Sequence, residues 1–170
     1  MPLAHELIGT GPHCVLVLHG WFGDHAIWSP TYPLLDAAAF TYAFVDYRGY
    51  GASRGLAGPH TMAQISADAQ ALADALGWDR FSVVGHSMGG MAAQRLAIDA
   101  PQRVRAVVGV TPVPACGVAL PPEVAAVFAA AADDDGAAAM VVETSLGQRL
   151  TPALTRLILD GKRRTVASDV

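Results

Sequence analysis

Ser87 stands between Gly85 and Gly89 in the stretch VVGHSMGGMAAQ, residues 83–94. Two valines before it and a helix-like run after it place the serine on a sharp strand-to-helix turn, where a Cβ at either glycine would collide across the bend. Such a turn lifts the hydroxyl above the sheet edge as a nucleophile for acyl transfer. The chemistry also needs a base for the proton and amides for the charge that develops on the carbonyl oxygen. A second stretch, VLVLHGWFGDHAIW, addresses the amides. A strand ending in His19-Gly20 runs into an irregular loop that can aim backbone N–H groups at an oxyanion. Trp21 is the expected donor there, with Phe22 as the alternative, and Met88, directly after the serine, is the other. His19 is expected to fix that loop through a backbone hydrogen bond. In a third stretch, DYRGYGAS, residues 46–53, glycines 49 and 51 permit a tight turn that Asp46 and Arg48 can tie as scaffold for a pocket wall.

The base is harder to find. All six histidines, at positions 5, 13, 19, 25, 60 and 86, precede Ser87. His86 is adjacent, but at such a turn its ring should point away from the serine. His25 and His60 read as loop residues, and His5 and His13 flank a weak first strand. His19, Asp24 and His25 are close in sequence but lack the spacing of a metal pair on one helix face, and no metal is expected.

These residues need elements to hold them. Cys14–Leu18, Phe40–Asp46, Phe81–Gly85 and Val104–Thr111 are short runs apolar on both alternating faces, the pattern of strands covered from both sides; Leu3–Ile8 is a weaker edge candidate. Thr61–Leu76 places Met62, Ile65, Ala69, Leu72, Ala73 and Leu76 at helical intervals before Gly77, and Met88–Asp99 runs similarly up to Pro101. Strands alternating with helices imply an α/β fold with a mainly parallel sheet and helices on both faces. After Thr111 comes a turn-rich linker, then three helix-like segments, Val124–Ala132, Ala137–Thr144 and Thr151–Leu159, separated at Asp133–Gly136 and Gly147–Leu150.

The chain has 170 residues, 52% hydrophobic and 15% charged, with a net charge of -4, which suits about one domain with a substantial core. The single lysine is Lys162, and no basic stripe gathers for nucleic acid. The first apolar run is too short for a signal core or a membrane span, so a cytoplasmic protein without membrane association is expected. Cys14 and Cys116 are expected to be buried, inert thiols without a disulfide. GYGASRG does not fit a dinucleotide-binding loop and there is no P-loop, so no cofactor is expected.

In this order and spacing, HGWFG, DYRGYGAS and GHSMGG resemble the serine-nucleophile branch of the α/β-hydrolase family over about residues 3–116. The tail from Val118 looks like the opening of that family's helical cap, giving a core at 1–117 and a cap at 118–170. The resemblance implies Ser87 as nucleophile, Trp21 and Met88 as oxyanion donors, and an esterase-like reaction on a small acyl substrate. Relatives with an aspartate at the turn, epoxide hydrolases and haloalkane dehalogenases, fit less well. Family members place the acid and then the histidine after the serine. Here Thr111–Gly117, where some relatives carry the acid, has no carboxylate. The expectation is therefore an N-terminal portion of a longer hydrolase, nearly inactive alone and prone to self-association through the open edge of its last strand. Two other readings share the scaffold: a non-catalytic relative that binds a ligand or partner, and an enzyme for C–C, thioester or lactone cleavage or perhydrolysis.

Overall fold

The computed structural model describes residues 2–146, 151–167 and 170. Five strands form one sheet: β1 His5–Ile8, β2 His13–Leu18, β3 Phe40–Val45, β4 Phe81–His86 and β5 Val104–Val110, in the spatial order β1-β3-β2-β4-β5. Only β1 runs antiparallel, against β3; the other pairings are parallel. From β2 the chain steps out to β3, then crosses back to place β4 on the other side of β2. The reversal lies between β2 and β4, at whose carboxyl ends a crevice opens in sheets of this kind. His19 to Gly23 leave one of those ends and Ser87 the other.

The period-2 alternation of the strands divides the core. Leu16, Leu18, Ala43, Val45, Phe81 and Val83 face helices α1 (Met62–Ala75) and α2 (Met88–Asp99), packing on Leu72, Ala93 and Leu96. Val15, Val17 and Phe44 face the other way, toward Trp28, Tyr32 and Leu35. Trp28 and Tyr32 belong to a 3-10 segment, His25–Leu34, in a region that reads from sequence as loop. Pro30 and Pro33 remove backbone donors there and Asp24 caps its start by accepting from Ala26 N–H at 2.9 Å.

Three helices follow the linker: α3 Pro122–Ala130, α4 Asp135–Leu146 and α5 Pro152–Thr165. The expected break at Gly147–Leu150 lies outside the described residues. The last helix runs six residues beyond the expected Leu159 because its closing turn carries Lys162, Arg163 and Arg164, favourable charges at a helix C-terminus. Beyond it, Val166 bridges to Tyr50 and Ala167 N–H donates to the Gly49 carbonyl at 2.7 Å.

Two expectations are corrected here. The last strand is not covered on both sides: Val107, Val108 and Val110 are 39%, 52% and 38% exposed. The chain after β5 does not fold back over it; α3, α4 and α5 instead gather on Phe22, with Ala131, Ala138, Val141 and Val142 forming a second apolar cluster. Cys116 is exposed, being on the linker, and Cys14 is half-buried; both are free thiols. No helix among the described residues is long and apolar enough to cross a membrane.

Candidate active site

At the end of β4 the backbone turns abruptly. Ser87 has φ 53° and ψ −117°, a conformation costing a non-glycine residue on the order of 1–3 kcal/mol. The surroundings hold it there. Its N–H donates to the Val110 carbonyl at 3.1 Å, and its own carbonyl accepts from Gly90 and Val113 N–H at 2.9 and 3.0 Å. A Cβ on Gly85 would strike the Gly89 carbonyl, and one on Gly89 would lie 2.5 Å from the backbone oxygens of both Leu18 and His19. Gly90, which sequence reasoning passed over, is equally constrained: a Cβ there would lie 2.5 Å from the Pro112 side chain. The serine occupies the position preceding α2, yet its hydroxyl does not cap that helix. Met88 N–H begins the helix, where the helix dipole favours negative charge.

The loop after β2 abuts this turn. A Cβ on Gly20 would sit 3.3 Å from Ser87 Cβ and 2.9 Å from His86 Nδ1, so the loop backbone runs close beside the Ser87 turn. Trp21 stacks on Phe22 with ring centroids 4.1 Å apart, and on Phe128 of α3 at 6.0 Å. Phe22 has φ 66°, a second strained non-glycine position, and Lys162 Nζ lies 5.4 Å over its ring. Lys162 is buried and donates to the Ala131 carbonyl at 2.6 Å, at the carboxyl end of α3. Replacing Lys162 with Met is expected to lower stability by about 1.5–3 kcal/mol, because the Ala131 carbonyl loses a charged donor. A thermal melt followed by circular dichroism measures this; an unchanged midpoint would contradict it.

His19 is fully buried against the rings of Tyr47 and Tyr50. Its Nδ1 lies 2.8 Å from the Gly20 carbonyl, which can only accept, so Nδ1 carries the proton. Nε2 has no hydrogen-bond partner among the described residues. Tyr47 Oη donates to the His19 carbonyl at 2.9 Å, pinning the entrance of the loop. Burial pushes the His19 pKa down to about 4, the Gly20 bond and the charges of Asp46 and Asp24 opposing it only in part. Since the unfolded imidazole titrates near its model value of 6.5, the unfolded chain binds more protons between these values. The contribution is present above pH 6.5 and is lost as pH falls toward 4, up to about 3 kcal/mol. A His19→Gln variant should show a flatter stability profile over that window in urea titrations.

Asp46 is fully buried and joins two loops. One oxygen accepts from the backbone N–H of His25 at 2.8 Å and from its ring Nδ1 at 2.9 Å; the other accepts from Ala52 N–H at 2.9 Å. Gly51, with φ 48°, passes so close to the carboxylate that a Cβ would strike it. Arg48 instead ties the turn to α1, through two bonds to Asp68 at 2.6 and 2.9 Å and one to the Ala57 carbonyl at 2.6 Å. That pairing raises its pKa. His25 thus belongs to the framework of the site, although sequence alone marked it only as loop. The signal lay in two carboxylate-histidine neighbours 21 residues apart, which spacing does not reveal.

The other rings are placed as follows. His25 Nε2 is 3.6 Å from Glu6, His86 stands edge-on to Trp28 at 6.3 Å, and His5 Nδ1 is 2.9 Å from the Leu3 carbonyl. Burial lowers the His86 pKa. His13 packs on Phe40 and His60 lines a cavity beside α1. No group of three or more metal-ligating side chains occurs among the described residues.

Residues 14–146 match the alpha/beta hydrolase fold family, and the chain belongs to it. It is 42% identical over 106 residues to the dihydrolipoyllysine-residue acetyltransferase component of the acetoin cleaving system of Cupriavidus necator, a match spanning 62% of this chain and 28% of that protein. It is 38% identical over 109 residues to a pimeloyl-(acyl-carrier protein) methyl ester esterase of Nitrosomonas europaea, spanning 64% and 40%. Among solved structures it is similar to Est816, described as an N-acyl homoserine lactone degrading enzyme, with TM-score 0.77, 28% identity, and coverage of 94% of this chain and 61% of that one. The chain therefore spans about a quarter to two fifths of the length of these curated relatives.

Proposed function

We propose that the chain carries the nucleophile and oxyanion elements of a serine hydrolase for carboxylic esters or related small acyl substrates. The observation that carries this reading is the strained Ser87 turn at the sheet's reversal point, with Gly20 close beside it. Ser87 Oγ attacks the acyl carbonyl, the amides of Met88 and Trp21 receive the oxyanion, the alcohol departs with a proton, and water releases the acid. In the complete polypeptide, the acid and the histidine are supplied from beyond Val170. Core and cap divide at residue 117, and the two free thiols are compatible with a cytoplasmic setting.

An activated ester such as p-nitrophenyl butyrate tests the reading. Slow acylation located at Ser87 by mass spectrometry, and abolished by Ser87→Ala, is the expected result; acylation elsewhere would overturn it. The 170 residues alone should turn over very slowly, since loss of the histidine in a serine hydrolase costs on the order of a millionfold. Rapid multiple turnover would refute the missing base. A ligand-binding, non-catalytic relative is the second reading, favoured by the engagement of His19 and His25 with other partners. The open β5 edge is proposed to pair with a second copy. Sedimentation velocity should then show a concentration-dependent dimer, and a monomer at all concentrations would exclude it.

A further inference from the structure

Gln94 of α2 ties its side chain to the linker that follows β5. Its Nε2 donates to the Val113 carbonyl at 2.9 Å and to the Gly90 carbonyl at 3.0 Å, while its Oε1 accepts from Ala115 N–H at 3.1 Å. Both carbonyls can only accept and the Ala115 amide can only donate, so a single orientation of the carboxamide satisfies all three. The same linker is held at two further points. Thr111 stands at φ 42°, a left-handed position unusual for a β-branched residue. Pro112 fills the slot between Gly90 and Gly109, where an added Cβ would lie 2.5 and 2.8 Å from its ring. Residues 111–115 thus form a fixed bracket beside the Ser87 turn.

What the bracket presents is Val113 N–H, which donates to the Ser87 carbonyl at 3.0 Å. The other donors to that oxygen, Gly90 and Met91 N–H at 2.9 and 3.3 Å, belong to the first turn of α2 and move with it. The Ser87 carbonyl shares one planar trans peptide with Met88 N–H, and the two bonds point in opposite directions. Whatever fixes the oxygen from outside the helix therefore fixes the aim of the Met88 amide. We propose that Gln94 is a positioning residue: by clamping residues 113–115 it holds the Val113 donor on the Ser87 carbonyl and so aims the Met88 amide at the developing oxyanion. It acts through Val113 rather than on a reacting atom. The proposal rests on the acyl-enzyme reading, in which Met88 N–H receives that charge. A clamp that only tied the linker down for stability would leave the direction of the amide unchanged when cut.

In the parent protein, Val113 N–H should exchange with solvent deuterium about a hundredfold or more slowly than an unstructured amide, and exchange at the unstructured rate would overturn the proposal. Gln94→Met keeps the side-chain length and removes all three bonds. Residual dipolar couplings should then show the Met88 N–H vector turned relative to the amides of β4, which keep their mutual orientation. Deleting an oxyanion donor outright costs on the order of 100- to 1,000-fold, so misdirecting one should slow acylation of Ser87 by saturating p-nitrophenyl butyrate about 10- to 100-fold, with the half-saturating concentration unchanged. Gln94→Glu keeps the acceptor for Ala115 but can donate to Val113 only when protonated. Its deficit relative to the parent should therefore shrink as pH falls from about 7 to about 5, and it serves equally if the methionine variant does not fold. An unturned Met88 vector, or an unchanged acylation rate in a folded variant, would overturn the proposal. The two readings fail separately. If the parent is not acylated, a turned vector keeps Gln94 as the holder of the Met88 amide and removes only the acyl-enzyme, whereas acylation with an unturned vector removes only the role of Gln94.

Discussion

Asp46→Ala is expected to lower the unfolding free energy by about 3–5 kcal/mol in urea titrations. The side chain is fully buried and accepts three hydrogen bonds, so its removal strands two backbone donors, His25 N–H and Ala52 N–H, together with an imidazole. It also releases the loop that carries Trp21 from the turn that carries Gly51. Asp46→Asn should fall between the variant and the parent, since an amide keeps one acceptor but turns a donor toward the Ala52 or the His25 N–H. His25→Ala, which loses only the ring contact and keeps the backbone bond, should cost about 1–2 kcal/mol. A loss below 1 kcal/mol for Asp46→Ala would show that the carboxylate is not the link between the two loops.

Ser87→Gly should abolish covalent capture of the ester probe, a loss of a thousandfold or more by analogy with other serine nucleophiles. It should also make the protein more stable. With φ 53° and ψ −117°, the position favours a residue without Cβ, and relief of the strain outweighs the extra freedom glycine has when unfolded. Ser87→Ala keeps the Cβ and the strain while removing the hydroxyl. Glycine is therefore expected to exceed alanine at this site by about 1 kcal/mol, the reverse of their order inside a helix. Equal midpoints for the two variants would mean that the turn stores no strain.

The strands, α1 and α2 were legible because they depend on local rules. Alternating valines and phenylalanines, a threonine cap before Met62, and glycines at 85 and 89 each specify their own neighbourhood. Thr61 Oγ1 does accept from Gln64 N–H, at 3.1 Å. What escaped depends on distant partners. The 3-10 segment has no helical repeat to announce it, and Trp28 and Tyr32 pack, half-buried, against the core only because Phe44 and Val17 lie beneath them. The last turn of α5 looks like a charged tail until Lys162 finds the Ala131 carbonyl, 31 residues earlier. The apolar run of β5 implies burial, but whether anything covers a strand is decided by the chain that follows it, and here that chain folds onto Phe22. Of the candidate site, the structure places Gly20 beside Ser87, whereas the bond from Asp46 to His25 links the loops that follow two neighbouring strands and is invisible to any local reading.

The edge strand β5 and a residue three positions beyond it supply the main-chain partners of Ser87 that lie outside its own turn: the Val110 carbonyl accepts from Ser87 N–H, and Val113 N–H donates to the Ser87 carbonyl. The Ser87 bend is thus only one strand from the open edge of the sheet. Solvent deuterium should enter the Ser87 amide more slowly whenever something docks alongside Val107 and Val110. That single exchange rate would register docking at the rim before any chemistry is assayed.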